Sequence, residues 1–177
     1  MKRTNFLHFR SNRRPQPNGF TLMELLIVMV IIAILMLIAI PTMGNMTRYA
    51  NETSAIKSVQ AINLAQSQYS TTFPSNGFAC SLTALGGDPH SGPPTATSAH
   101  FLDQTLSATG VKSGYQFSIT NCVKNSQNGG DRVTGYTIIA QPLTVGKSGN
   151  RTFCGDEGGE IKFDPTGGTN CTQNLSQ

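Results

Sequence analysis

The alternation of polar and apolar positions divides the chain into stretches of different texture. Residues 1–19 are polar and basic and carry Pro15 and Pro17, so an unstructured leader is expected there. Every residue from Leu25 to Ile40 is apolar, and no charge occurs from Leu25 through Thr47. About 20 helical residues at 1.5 Å each cross the roughly 30 Å hydrocarbon layer, so residues 20–47 are expected to hold a membrane-spanning helix. Pro41, followed by Gly44, predicts a kink near its outer end. Beyond it the helical spacing resumes over residues 48–74. Ala55, Ile56, Val59, Ile62, Ala65, Tyr69 and Phe73 form an apolar stripe, with Gln60, Asn63, Gln66 and Gln68 interleaved. Pro74 and Gly77 in "TTFPSNG" end the helix. One rod from Phe20 to Phe73 would measure roughly 80 Å.

Residues 75–114 are rich in Gly, Pro, Ser and Thr, with short helices expected at Leu82–Leu85 and Phe101–Leu106. After Gly114 the texture is that of strands: "YQFSIT", "TGYTIIAQPL", "RTFC" and "EIKFD", separated by glycine-rich polar turns. Tyr115, Phe117 and Ile119 alternate with polar residues, as do Ile161 and Phe163. The fold class is therefore α+β: a long N-terminal helix whose amphipathic half packs on a small antiparallel sheet spanning 115–177.

Charge changes this picture in one respect. The net charge is +4, but Lys2, Arg3, Arg10, Arg13 and Arg14 all precede residue 20. Removing those five from the thirteen basic residues leaves eight against nine acidic ones, so the body is nearly neutral and no nucleic-acid partner is expected. A basic leader before an apolar run places the N-terminus in the cytoplasm by the positive-inside rule. An ordinary secretory signal peptide has the same opening, but "LIAIPTMGNM" offers no convincing A-x-A-like cut. The cysteines Cys80, Cys122, Cys154 and Cys171 lack C-x-x-C spacing, and the three histidines lie far from any cysteine pair, which argues against zinc. Two disulfides in an oxidising compartment are expected, with three pairings open.

Glu24 stands at the threshold of the apolar run. Thr21 and Glu24 have the spacing of a capping box, which alone would account for the acid and would contribute about 1 kcal/mol. A second role follows from Gly19–Phe20, where a small residue precedes the apolar stretch and a peptidase could cut. The new Phe20 amine, with an ordinary pKa near 8, would be largely charged at neutral pH. In a bundle of chains it could meet the carboxylate of a neighbour, an attraction of about 4 kcal/mol at 4 Å and an effective dielectric of about 20, before desolvation. A lone carboxylate in hydrocarbon costs about 2.5–3.5 kcal/mol, so pairing would offset that penalty.

"GFTLMELLIVMVIIAILMLIAIP" resembles the class III leader and N-terminal helix of type IV prepilins, over about 50 residues. The resemblance implies cleavage between Gly19 and Phe20 by a prepilin peptidase and methylation of the Phe20 amine. It further implies Glu24 as the assembly carboxylate, Pro41 at the kink, an inner-membrane assembly platform as partner, and polymerisation of the chain with itself into a filament. The precursor would lie in the bacterial inner membrane with its body outside, and the product in an extracellular pilus or a periplasmic pseudopilus. The 19-residue leader is longer than in the commonest short-leader pilins. Relating the loop after the rod to the middle of the sheet, and the last strand end to the chain tail, favours Cys80 with Cys154 and Cys122 with Cys171. A pseudopilin of a type II secretion system is the alternative within the same architecture. Major pseudopilins tend to carry a calcium-loop head with a Trp-Gly-x-Pro-Tyr-like segment, and this chain has no Trp. A membrane-tethered domain that never assembles is the alternative of another class.

No catalytic constellation is found, and the chain is not read as an enzyme. "TVGKSG" ends like a phosphate loop, but its first required glycine position is Gln141, and a hairpin turn is expected. His90 and His100, near Asp88 and Asp103, read as solvated loop residues. Asp156, Glu157, Glu160 and Asp164 are the better set for calcium but lack the regular loop spacing, so a polar hairpin is expected and no cofactor.

Overall fold

The computed structural model describes residues 19–39, 43–126 and 131–175. The chain divides after Pro41 into two compact units. Pro41, most of the leader and the centre of the "NSQNGGD" turn lie outside the described residues.

Among its described residues the first unit holds one helix, α1 (Leu22–Ala39). Thr21 starts it: the Glu24 N–H donates to Thr21 Oγ1 at 3.2 Å, and the Thr21 N–H and hydroxyl both donate to Glu24 Oε2 at 3.1 Å. This is the reciprocal capping box anticipated from the spacing. The apolar side chains from Leu22 to Leu37 are exposed around the whole circumference. Eighteen residues give α1 a length of about 27 Å. Among the described residues no helix is long and apolar enough to cross a membrane. The described part of α1 stops at Ala39, while the apolar run continues into residue 40.

The second unit is an α+β head. Its helix α2 (Met43–Thr72) buries Ala55, Val59, Ile62, Ala65 and Tyr69, while Ile56 and Phe73 pack on the margin of the core. Gly77 follows at φ +76°, and a side chain there would collide with the Val133 carbonyl, so this stop admits glycine alone. Two short helices come next, α3 (Leu82–Leu85), capped by Ser81, and α4 (Gln104–Thr109), capped by Asp103. The second begins later than expected because the Asp103 carboxylate accepts the Leu106 N–H and fixes the start.

Six antiparallel strands follow in sequence order as one meander: β1 (Val111–Lys112), β2 (Tyr115–Asn125), β3 (Arg132–Pro142), β4 (Thr152–Asp156), β5 (Ile161–Asp164) and β6 (Gln173–Asn174). Tyr115, Phe117, Ile138, Ala140, Phe153 and Ile161 make the sheet side of the core against α2. Helix and strand approach closely at Gly155, where a Cβ would meet Val59 Cγ1 at 2.8 Å and Asn63 Nδ2 at 3.1 Å.

The disulfides correct the expected pairing: they join Cys80 to Cys122 and Cys154 to Cys171, not Cys80 to Cys154 and Cys122 to Cys171. The reason lies in the register. The loop leaving α2 hydrogen-bonds to the start of β3 through Phe78 N–H and Val133 O, beside the far half of β2, where Lys124 pairs with Val133. A register shift between Thr120 and Val123, with Asn121 at φ +50°, interrupts β2 there and sets Cys122 within 6.0 Å (Cα–Cα) of Cys80. Cys154 lies across the meander. Lys162 pairs with both Cys154 and Asn174, so the returning tail carries Cys171 to the face of β4 opposite α2.

Candidate functional site

Gly19, Phe20 and Glu24 fall together at the start of α1, as the sequence suggests. Nothing lies within 4 Å of where a Cβ of Gly19 would sit, and its φ is not in the left-handed region. Among the described residues nothing requires glycine at this position. Phe20 is 88% exposed.

Glu24 holds its capping bonds through Oε2 alone; among the described residues Oε1 accepts none. A carboxylate offers about four lone-pair sites, so a cation can approach Oε1 without opening the box. Capping the helix and receiving a cation are compatible in this geometry, and the first does not exhaust the side chain.

The other flagged residues are engaged separately. Asp156 accepts the Gly158 N–H at 3.0 Å, Glu157 the Tyr136 N–H at 3.3 Å, and Glu160 lies 3.5 Å from Lys162. Asp164 accepts the Thr166 N–H at 2.8 Å, its hydroxyl at 2.6 Å and the Asn170 N–H at 3.1 Å; the Thr166 bonds hold its carboxyl below the usual carboxylate range. Among the described residues no group of three or more His, Cys, Asp or Glu is placed to hold a metal ion. His90 is paired with Asp88 at 3.1 Å, His100 with Ser98 at 3.1 Å, and Asp103 with Lys112 at 2.9 Å. "TVGKSG" closes as a turn through Ser148 N–H to Thr144 O.

Sequence reasoning missed the contacts that fix α2 to the head. Glu52, 4% exposed, accepts the Asn150 N–H at 2.9 Å and lies 2.7 Å from Arg151 Nη2. The Arg151 guanidinium in turn sits 5.4 and 5.3 Å from the ring centres of Phe153 and Phe163. Gln66 forms a two-way bridge to the Ala79 backbone, donating to its oxygen at 2.7 Å and accepting its N–H at 2.8 Å. Tyr136 donates to Asn63 Oδ1 at 3.0 Å, and burial, reinforced by Glu157, pushes its phenol up to about 12. The one sequence signal for this clasp was Glu52 itself, an acid three residues before Ala55 on the apolar stripe.

Residues 14–40 match the family profile described as the prokaryotic N-terminal methylation motif, which is the class III signal peptide of type IV prepilins. An N-terminal helix followed by a six-stranded antiparallel sheet is an α+β arrangement consistent with the type IV pilin fold. The methylation motif is one that type IV pilin-like and pseudopilin proteins carry, and it supports a reading of that kind. No curated protein and no solved structure matched it.

Proposed function

We propose that the chain is the subunit of a type IV pilus-like filament. A prepilin peptidase cuts it between Gly19 and Phe20, the Phe20 amine is methylated, and the Glu24 carboxylate of one subunit receives the Phe20 amine of the next. Methylation leaves that amine positive at neutral pH, so the pairing survives it. The precursor is held by its apolar run in the inner membrane, with the leader in the cytoplasm and the head outside. The four cysteines all closed in disulfides accord with an oxidising compartment.

One observation carries this reading. The head completes its core with α2 and the sheet, while α1 leaves an apolar surface exposed all round. Such a surface needs lipid first and other helices afterwards. Mass spectrometry of surface filaments tests it, with an N-methylated Phe20 expected at the N-terminus; an intact Met1 leader on the surface protein would overturn it. Glu24→Gln keeps a capping-box acceptor and should insert into the membrane normally. It should nevertheless fail to enter filaments beside wild-type subunits, whereas a tethered domain that never assembles would tolerate it.

A further inference from the structure

A cleft of about 260 Å³ opens where α2 passes the turn joining β4 to β5. Helix α2 lines it with Asn63, Ser67 and Ser70, and the turn lines it with Glu157. Phe78 and Tyr136 add two aromatic rings, set edge to face with centres 4.9 Å apart. Tyr136, 4% exposed, holds a polar group on each wall: its hydroxyl donates to Asn63 Oδ1 at 3.0 Å and its N–H to Glu157 Oε2 at 3.3 Å. Each of those side chains keeps its other atom unused. Among the described residues Asn63 Nδ2 donates no hydrogen bond, Glu157 Oε1 accepts none, and Glu157 has no ion pair. Serine is a poor helix former, and among the described residues Ser67 and Ser70 gain no hydrogen bond beyond their own helix to offset that. A second cleft of about 150 Å³ shares Gly159 with the first and is lined by Gln60 of α2, Glu160 and Leu175.

We propose that this cleft binds a neutral saccharide, with one ring against the aromatic pair and the next toward Gln60. Charge narrows the choice first. Neither cleft has a cation in its lining, and the Glu157 carboxylate repels an anion. The unused Asn63 amide presents only N–H donors, the wrong end of the dipole for a bound cation. An uncharged ligand that both donates and accepts remains. Saccharide hydroxyls do both, and the C–H face of a sugar ring covers an aromatic side chain. A volume under the roughly 300–1,000 Å³ of drug-sized pockets suits one or two such rings. A peptide strand would seek a free sheet edge, and β4 offers none beside the cleft because β3 and β5 take both of its edges. The cleft lies within the head unit, so its ligand does not depend on how the chain assembles.

Titration of the full-length nitrogen-15-labelled chain, followed by NMR in phosphocholine micelles that carry no sugar headgroup, tests the assignment. Lactose, maltose, cellobiose and diacetylchitobiose are added in turn. At least one should move the Gly158 and Gly159 amides and the Asn63 side-chain NH2 together along one saturating curve. Glu157→Gln keeps an acceptor for the Tyr136 N–H but removes the charge, and should weaken that binding about tenfold. Ser67 is exposed, so Ser67→Trp can fill the cleft without entering the core; it should abolish binding and leave the resonances of the buried residues in place. No movement of these groups with any of the sugars overturns the site. Movement that both variants leave unaltered puts the sugar elsewhere and overturns it too. A response to lysine amide, with none to any sugar, overturns it in favour of a basic partner.

Discussion

Helices α1 and α2 are made of equally ordinary helix-forming sequence, yet one is finished within its own chain and the other is not. Helix α2 presents an apolar stripe to the sheet and polar residues to water, and its one buried acid has a part-buried partner. Helix α1 has no polar side, and its one acid is satisfied on a single oxygen. A stripe about a third of the circumference wide is the mark of a helix with one neighbour. A helix apolar on every side requires surroundings on every side, and among the described residues of its own unit none are provided. The difference divides the molecule into a self-sufficient head and an N-terminal helix completed by something else.

The comparison is broken most strongly by emptying the head core. Phe153 is fully buried between α2 and the sheet, and Phe153→Ala should lower stability by about 3–5 kcal/mol, read by chemical denaturation. Next comes the clasp. Glu52→Gln leaves the part-buried Arg151 without its counter-charge and should destabilise by roughly 3 kcal/mol. A loss below about 1 kcal/mol would mean that the guanidinium's stacking on Phe153 and Phe163 suffices. Ile31→Ala removes a comparable apolar side chain from α1. It should leave the thermal midpoint of the head unchanged and show its effect in filament yield; a fall in the midpoint would mean that α1 contributes to the head's core. The smallest effect concerns pH. Asp164 has a folded-state pKa below its ordinary value, so its contribution is complete above the unfolded carboxylate range near 4 and is lost as pH falls through the lower folded value. Asp164→Asn should flatten that part of the stability-against-pH curve, below about pH 4.

The parts legible in the sequence were those with a local period. The capping box, the stripe of α2, the breaker at Pro74 and the alternation in β2 and β5 each depend on residues a few positions apart. What stayed hidden depends on partners distant along the chain. Glu52 meets Arg151 across 99 positions, and only the register of β4 beside α2 brings them together. The disulfide pairing turned on the bulge in β2 and on β6 returning beside β5, two features with no periodic signature. The edge strands β1 and β6 have two residues each, too few to show alternation. At the N-terminus the sequence raised two uses for Glu24 as rivals, and the structure makes them compatible by assigning the cap to Oε2.

The central claim is that Glu24 of one subunit receives the Phe20 amine of another. Filaments grown from a mixture of nitrogen-14 and nitrogen-15 subunits, treated with an apolar carbodiimide and digested, test it directly. Activation of Glu24 should yield an amide to the Phe20 nitrogen that joins light to heavy peptides. Glu24 carrying only the reagent's acylurea adduct, or coupled solely within its own chain, would contradict the account.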